Sequence, residues 1–229
     1  MKTIKITFLL ALMFVVGISL NSYAQIYIGG KAGVNFSAFT GSDKPDDMKR
    51  LPGVNAGIFG TIAVNEMFAI QPEAGFEQKG SAAEDATDQM NDFLVHTSDW
   101  KWSFDYVTLT VLAKATLGDT RQFSLYAGPY AGILLAANMK GTAEYEHQTD
   151  PGESYTEDVD VSVEDNFNNF DYGITMGVGL RIPLNQRFAA TGDVRYNHGF
   201  AKLDSDDTDK MYNSSIGISL GIAFNLSHY

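Results

Sequence analysis

Cysteine is absent from the 229 residues, which excludes disulfide staples, thiolate metal sites and a lipid anchor on an N-terminal cysteine. Basic residues are scarce: 16 Lys and Arg stand against 28 Asp and Glu, for a formal net charge of −12. Binding to nucleic acid through phosphate contacts is therefore excluded. Histidine occurs only at positions 96, 147, 198 and 228. No nucleophile with a base at recognisable spacing, metal-ligand pattern or phosphate-cradling glycine loop is present. Neither catalysis nor a cofactor is expected. After residue 24, glycine or polar residues interrupt every apolar run, so no transmembrane helix is predicted.

The one long apolar run, residues 6–20, follows Lys2 and Lys5 and precedes Ser22-Tyr23-Ala24. A positive flank, a short apolar stretch and a small-x-small site predict a secretory signal peptide over residues 1–24, cleaved before Gln25. An uncleaved anchor would need a span of about 20 apolar residues. The mature chain, residues 25–229, is read as one domain of charge 14 − 28 = −14. Export without a helical anchor leaves a soluble exported protein or an outer-membrane barrel.

What is present is alternation. In the last predicted strand Tyr212, Ser214, Ile216, Ile218, Leu220, Ile222, Phe224 and Leu226 share one face, and Asn213, Ser215, Gly217, Ser219, Gly221, Ala223 and Asn225 the other. Successive strand residues point to opposite faces, so one face is apolar and the other small or polar. Eight such strands are predicted: residues 26–37, 53–64, 67–80, 103–117, 122–137, 169–182, 188–200 and the strand from Tyr212. Short turns near Asn65, Asp119 and Asn185 alternate with longer loops over residues 38–52, 81–102, 138–168 and 201–210. The 22 glycines lie mostly inside strand patterns, where they suit curved walls and crowded interiors. The expected fold is all-β: an eight-stranded antiparallel up-and-down transmembrane β-barrel with short periplasmic turns and long extracellular loops.

Two features bear on which face meets lipid. Phe68, Phe123 and Phe188 follow the short turns and Phe224 lies near the end of the last strand, whereas Phe36, Phe76, Phe170, Tyr172, Tyr196 and Tyr212 lie towards the long loops. Two such levels are expected of aromatic girdles at opposite membrane interfaces. The polar faces carry Lys31, Glu73, Glu77, Lys79, Lys114, Asp171, Arg181, Asp193 and Arg195. Side chains fill the interior of an eight-stranded barrel, and mixed charges there can pair. The expectation is a polar plug, with Tyr106, Tyr126 and Tyr130 as filling; an ion or proton path would use the same residues.

The run Phe68-Ala69-Ile70-Gln71-Pro72-Glu73, followed by Phe76-Glu77-Gln78-Lys79-Gly80, resembles the third strand of the PorT-like outer-membrane β-barrel family. Residues 106–114, Tyr126-Ala127-Gly128-Pro129-Tyr130 and Asp193-Val194-Arg195-Tyr196-Asn197 with Gly199 are similar to further strands of it. The resemblance spans the mature chain and implies an outer-membrane barrel without implying one activity. Thr108 and Thr110 stand where family members often carry Glu and Pro, and Tyr229 has the opposite parity to Phe224 and Leu226.

Candidate chemistry sits in the loops. Residues 138–168 hold nine acids against the single base Lys140, which reads first as a solvated, self-repelling segment. Asp204, Asp206, Asp207 and Asp209 are weak candidates for a divalent cation, lacking the glycine and distal Glu of a calcium loop. His198 reads as an ordinary rim histidine, and Trp100 and Trp102 as an interface anchor or partner contact. The leading function is a structural or interaction role, with outer-membrane lipid and lipopolysaccharide as surroundings and a protein partner at the loops. Passive transport of small solutes or ions, an accessory role in PorT-like secretion, and a soluble lipocalin-like ligand carrier are the alternatives.

Overall fold

The computed structural model describes residues 25–45, 48–90, 93–118, 122–148, 151–204 and 210–227. The signal segment 1–24, the turn residue Asp119, the candidate ligands Asp206, Asp207 and Asp209, and Tyr229 lie outside the described residues. The described residues form ten antiparallel strands: β1 Ile26–Thr40, β2 Met48–Ala63, β3 Phe68–Ala83, β4 Ala86–Met90, β5 Phe93–Leu117, β6 Gln122–His147, β7 Tyr155–Ser162, β8 Phe170–Pro183, β9 Phe188–Lys202 and β10 Tyr212–Asn225. Eight of them close a ring, because β5, β3, β2, β1, β10, β9, β8 and β6 pair in that order and β5 also pairs with β6. Strands β4 and β7 lie outside the ring, paired with β5 and β6.

The pleat decides the orientation. Leu220 is 72% exposed, Ile58 67% and Leu109 63%, while their sequence neighbours Ser219, Thr108 and Thr110 are buried. Apolar side chains therefore point out of the ring and polar ones into it. This is the reverse of a soluble ligand-carrying barrel, which would keep its apolar faces inside.

Short turns close one end of the barrel. Asn65 Oδ1 accepts the backbone N–H groups of Met67 (2.9 Å) and Phe68 (2.8 Å). Asn185 Oδ1 does the same for Arg187 and Phe188, both at 2.9 Å. An Asn that hydrogen-bonds two and three residues ahead folds the chain back without further help.

The long-loop end departs from the sequence expectation. Much of what reads as loop is strand. β5 begins at Phe93, ten residues before the predicted 103, and β6 runs to His147 instead of 137. Together with β4 and β7 they form a four-stranded sheet continuous with the barrel wall. The acids in these segments lower strand propensity, but Phe93, Val95 and Thr97 share one face of β5 and pairing partners lie alongside on both sides.

Candidate functional site

Two regions concentrate the chain's polar chemistry: the lumen and the sheet beyond it. In the lumen, polar side chains stack in layers. At the short-turn end the Phe59 ring lies where a Cβ on Gly29 would stand, 2.4 Å away, and packs with Tyr27, Ala189 and Ala223. The Arg181 guanidinium lies 3.9 Å from the centre of the Tyr27 ring and donates to Gln122 Oε1 at 2.6 Å. Above it, Lys114 donates to Gln71 Oε1 at 3.1 Å, and Gln71 donates to Glu73 Oε1 at 2.7 Å.

Glu73 is the centre of the column. Lys31 meets its Oε2 at 2.7 Å, and Arg195 reaches Oε2 at 2.8 Å and Oε1 at 3.3 Å. Arg195 also bonds Asp193 through Nε at 2.8 Å, and Tyr126 donates to Asp193 at 3.0 Å. The next layer joins Glu77 to Asn197 and to Lys79, the latter at 3.6 Å. The fully enclosed Lys79 reaches Asp171 Oδ2 at 3.0 Å, where Tyr130 and Asn213 also donate. Burying five cations and four carboxylates is tolerable because they pair and hydrogen-bond with one another, although Asp171 Oδ1 is buried without a hydrogen-bond partner among the described residues. Among them lies a cavity of about 20 Å³ bounded by Lys31, Asn55, Glu73, Glu77, Thr108 and Arg195, room for about one water.

The mouth is stopped by an apolar cluster of Phe39, Phe104, Tyr106, Leu134, Ala137 and Leu203, with Phe167 and Trp102 against it. Phe167 comes from the connection before β8 and is held there by Asn168, whose amide donates to the carbonyls of Lys202 (2.9 Å) and Asp204 (2.8 Å). Tyr106 stands where lumen filling is expected from the sequence, but the Phe and Leu stoppers are not expected of a polar inner face. Parity was the available signal: Phe59 shares a face with Asn55 and Thr61, Phe39 with Asn35 and Ser37, and Phe104 with Thr108.

The outward aromatics occupy two levels. Phe188 and Phe224 pair across strands with ring centres 5.2 Å apart near the short turns. Phe68 and Phe123 open β3 and β6 at the same end. Phe170 and Tyr172 stand 6.1 Å apart at the start of β8. Tyr196 stacks against His198, and His198 meets Phe200 edge-on. Phe36 and Phe76 lie in the upper halves of β1 and β3, and Tyr212 opens β10 beside a register shift.

Beyond the mouth, β4–β5–β6–β7 carry Phe93, Tyr145, His147 and Tyr155 as one aromatic group, with Tyr145 and Tyr155 stacked at 4.5 Å. Trp100 does not reach outward as an anchor would. Its ring fills the place of a side chain on Gly141 and stacks on Trp102. Lys140 pairs with Asp160 at 2.9 Å and Thr142 donates to Asp158 at 3.0 Å. Asp204 forms an isolated bridge with Phe167, and among the described residues no group of three or more His, Asp or Glu could hold a metal ion.

None of the curated proteins matches the chain. Among solved structures, it resembles a major outer membrane protein of Thermus thermophilus at 12% identity, over 90% of this chain and 100% of that one, with a TM-score of 0.51. The outer membrane protein OprG of Pseudomonas aeruginosa is similar at 12% identity, over 90% and 96% of the two chains, with a TM-score of 0.50. Both likenesses are of fold. The model of the family "outer membrane protein beta-barrel domain" matches residues 19–205. Outward apolar faces, a closed ring of eight strands and that match together establish that the chain belongs to this outer-membrane β-barrel family and resides in the cell outer membrane.

Proposed function

We propose that the protein is exported by its cleaved signal peptide, sits in the outer membrane with its short turns in the periplasm, and acts as an interaction protein whose recognition surface is the acidic sheet beyond the barrel mouth. It performs no catalysis. The observation that carries this reading is the contrast between a lumen stopped at both ends by apolar clusters and filled by paired polar side chains, and a strand pair that continues well past the mouth into an acidic, aromatic sheet. The PorT-like resemblance is compatible with a secretion accessory that works through the same surface.

Two measurements test it. Reconstituted into planar bilayers, the protein is expected to leave conductance at the bare-membrane level; steps at every insertion would overturn the reading in favour of a channel. In proteoliposomes, the intact chain is expected to capture polylysine, and a variant with residues 84–100 and 141–162 replaced by short turns to lose that capture while keeping its heat-dependent shift on SDS gels. Equal capture by both would remove the recognition surface from the sheet.

A further inference from the structure

Strand β7 is an open edge. Among the described residues it pairs with β6 alone. Val163 donates its N–H to Ala137 O at 2.9 Å, and hydrogen-bonded and non-hydrogen-bonded pairs alternate along an antiparallel ladder. Val161, Val159, Glu157 and Tyr155 therefore turn their backbone groups towards β6. Thr156, Asp158, Asp160 and Ser162 turn theirs to the free side. That row is long enough to template a strand of ordinary length. It carries none of the proline or lysine with which proteins blunt such edges: residues 152–180 contain neither, nor any Arg.

The side chains specify what would pair there. Tyr155, Glu157, Val159 and Val161 share one face of the sheet, where Tyr155 stacks on Tyr145 and both Tyr155 and Val161 are exposed. Asp158 and Asp160 share the other, and Lys140 pairs with Asp160. A second copy of the chain would set acid opposite acid, which is destabilising across strands. We propose that β7 accepts, by strand addition, an extended segment of a partner protein that alternates apolar and basic residues, the apolar set over Tyr155 and Val161 and the basic set beside Asp158 and Asp160. This rests on the reading of the protruding sheet as the recognition surface and adds the partner's chemistry and binding mode.

The test uses the full mature chain in proteoliposomes and fluorescent peptides of about ten residues. One alternates Lys and Val; another has the same composition in two blocks. The alternating peptide is expected to bind roughly tenfold tighter, and N-methylation of alternate amides along one edge to abolish that advantage while methylation along the other edge leaves it. Thr156→Pro removes a free-edge N–H without touching the β6 ladder and is expected to bring the alternating peptide down to the block peptide's affinity, with the heat-dependent gel shift unchanged. Equal binding of the two peptides to the intact chain would overturn strand addition and leave an acidic recognition surface standing. Binding of neither overturns both readings. Concentration-dependent dimerisation through β7 would assign the edge to a second copy and also overturn the proposal.

Discussion

Strands β5 and β6 pass through both halves of the molecule, and their pleat changes hands on the way. Within the barrel, β6 sends Phe123, Leu125, Ile133 and Leu135 outwards, and its alternate residues Tyr126 and Tyr130 are buried inside. Leu135 is then an extra residue, because Asp105 pairs with Ala136 but Tyr106 with Leu134. Beyond this bulge the same parity points inwards: Leu135 is 55% exposed, yet Ala137 is 0% and Ala143 4% exposed. Lys140, Thr142, Glu144 and Glu146 take the outer face. β5 makes the matching change at Asp99, a non-glycine residue at φ 56°, where the register shifts between Ser98 and Lys101. Inside lipid the apolar side must face out. In water it must face in, and two bulges make the exchange without breaking either strand.

The strongest test of the lumen half is to strand its charges. Glu73→Ala leaves Lys31 and Arg195 enclosed without their shared carboxylate and is expected to cost about 3–5 kcal/mol in urea unfolding from lipid vesicles, followed by Trp100 and Trp102 fluorescence. Replacing Lys31, Glu73 and Arg195 together by apolar residues of similar volume is expected to cost much less, because no unpaired charge remains. If the single and triple variants unfold alike, the network is not held by mutual compensation.

The inversion itself predicts a position-dependent response to one substitution type. Leu109→Arg places a cation on the lipid face and is expected to cost about 2–4 kcal/mol if the residue sits near the bilayer midplane. Glu144→Arg, on the outer face of the same sheet beyond the bulge, is expected to stay within about 0.5 kcal/mol of the parent. Comparable losses at both sites would mean that the protruding sheet is not in water. At the opposite end, Asn65→Ala and Asn185→Ala each remove the acceptor of two backbone N–H groups, and each is expected to cost about 1 kcal/mol in the same unfolding assay.

Strand period and turn spacing made the ring legible, since outward Leu109, Leu125 and Leu220 alternate with inward Thr108, Tyr126 and Ser219. The charged lumen residues were legible by parity, but their partners were not. Lys114 ends on Gln71 and Arg181 on Gln122 and Tyr27, pairings that depend on barrel stagger. The protruding sheet was missed because a bulge shifts parity by one residue and so hides the continuity of Ala137, Ala143 and Tyr145 with the strand below. The mouth stopper was missed for a different reason: Phe167 is placed by the Asn168 amide across two distant carbonyls, and no periodicity encodes that.

The smallest effect lies in the water-exposed loops and sharpens the contrast with the enclosed column. Asp43 Oδ2 accepts the backbone N–H of Lys210 at 2.8 Å, tying the first long loop to the last. That bond, helped by the Ser42 hydroxyl, holds the Asp43 carboxyl below its ordinary value of 3.8. A carboxyl with a depressed folded-state pKa contributes its stabilisation above the unfolded-state value and loses it as pH falls through the folded-state value. The contact is therefore expected to be intact at neutral pH and to be released only below about pH 4, seen as a pH-dependent shift of the Lys210 amide in NMR spectra and abolished by Asp43→Asn. Since the pair is open to solvent, salt should weaken it. The Glu73 column, shut behind Phe59 and Phe167, should show no comparable salt response, and an equal response at both sites would mean that the lumen is open to bulk water.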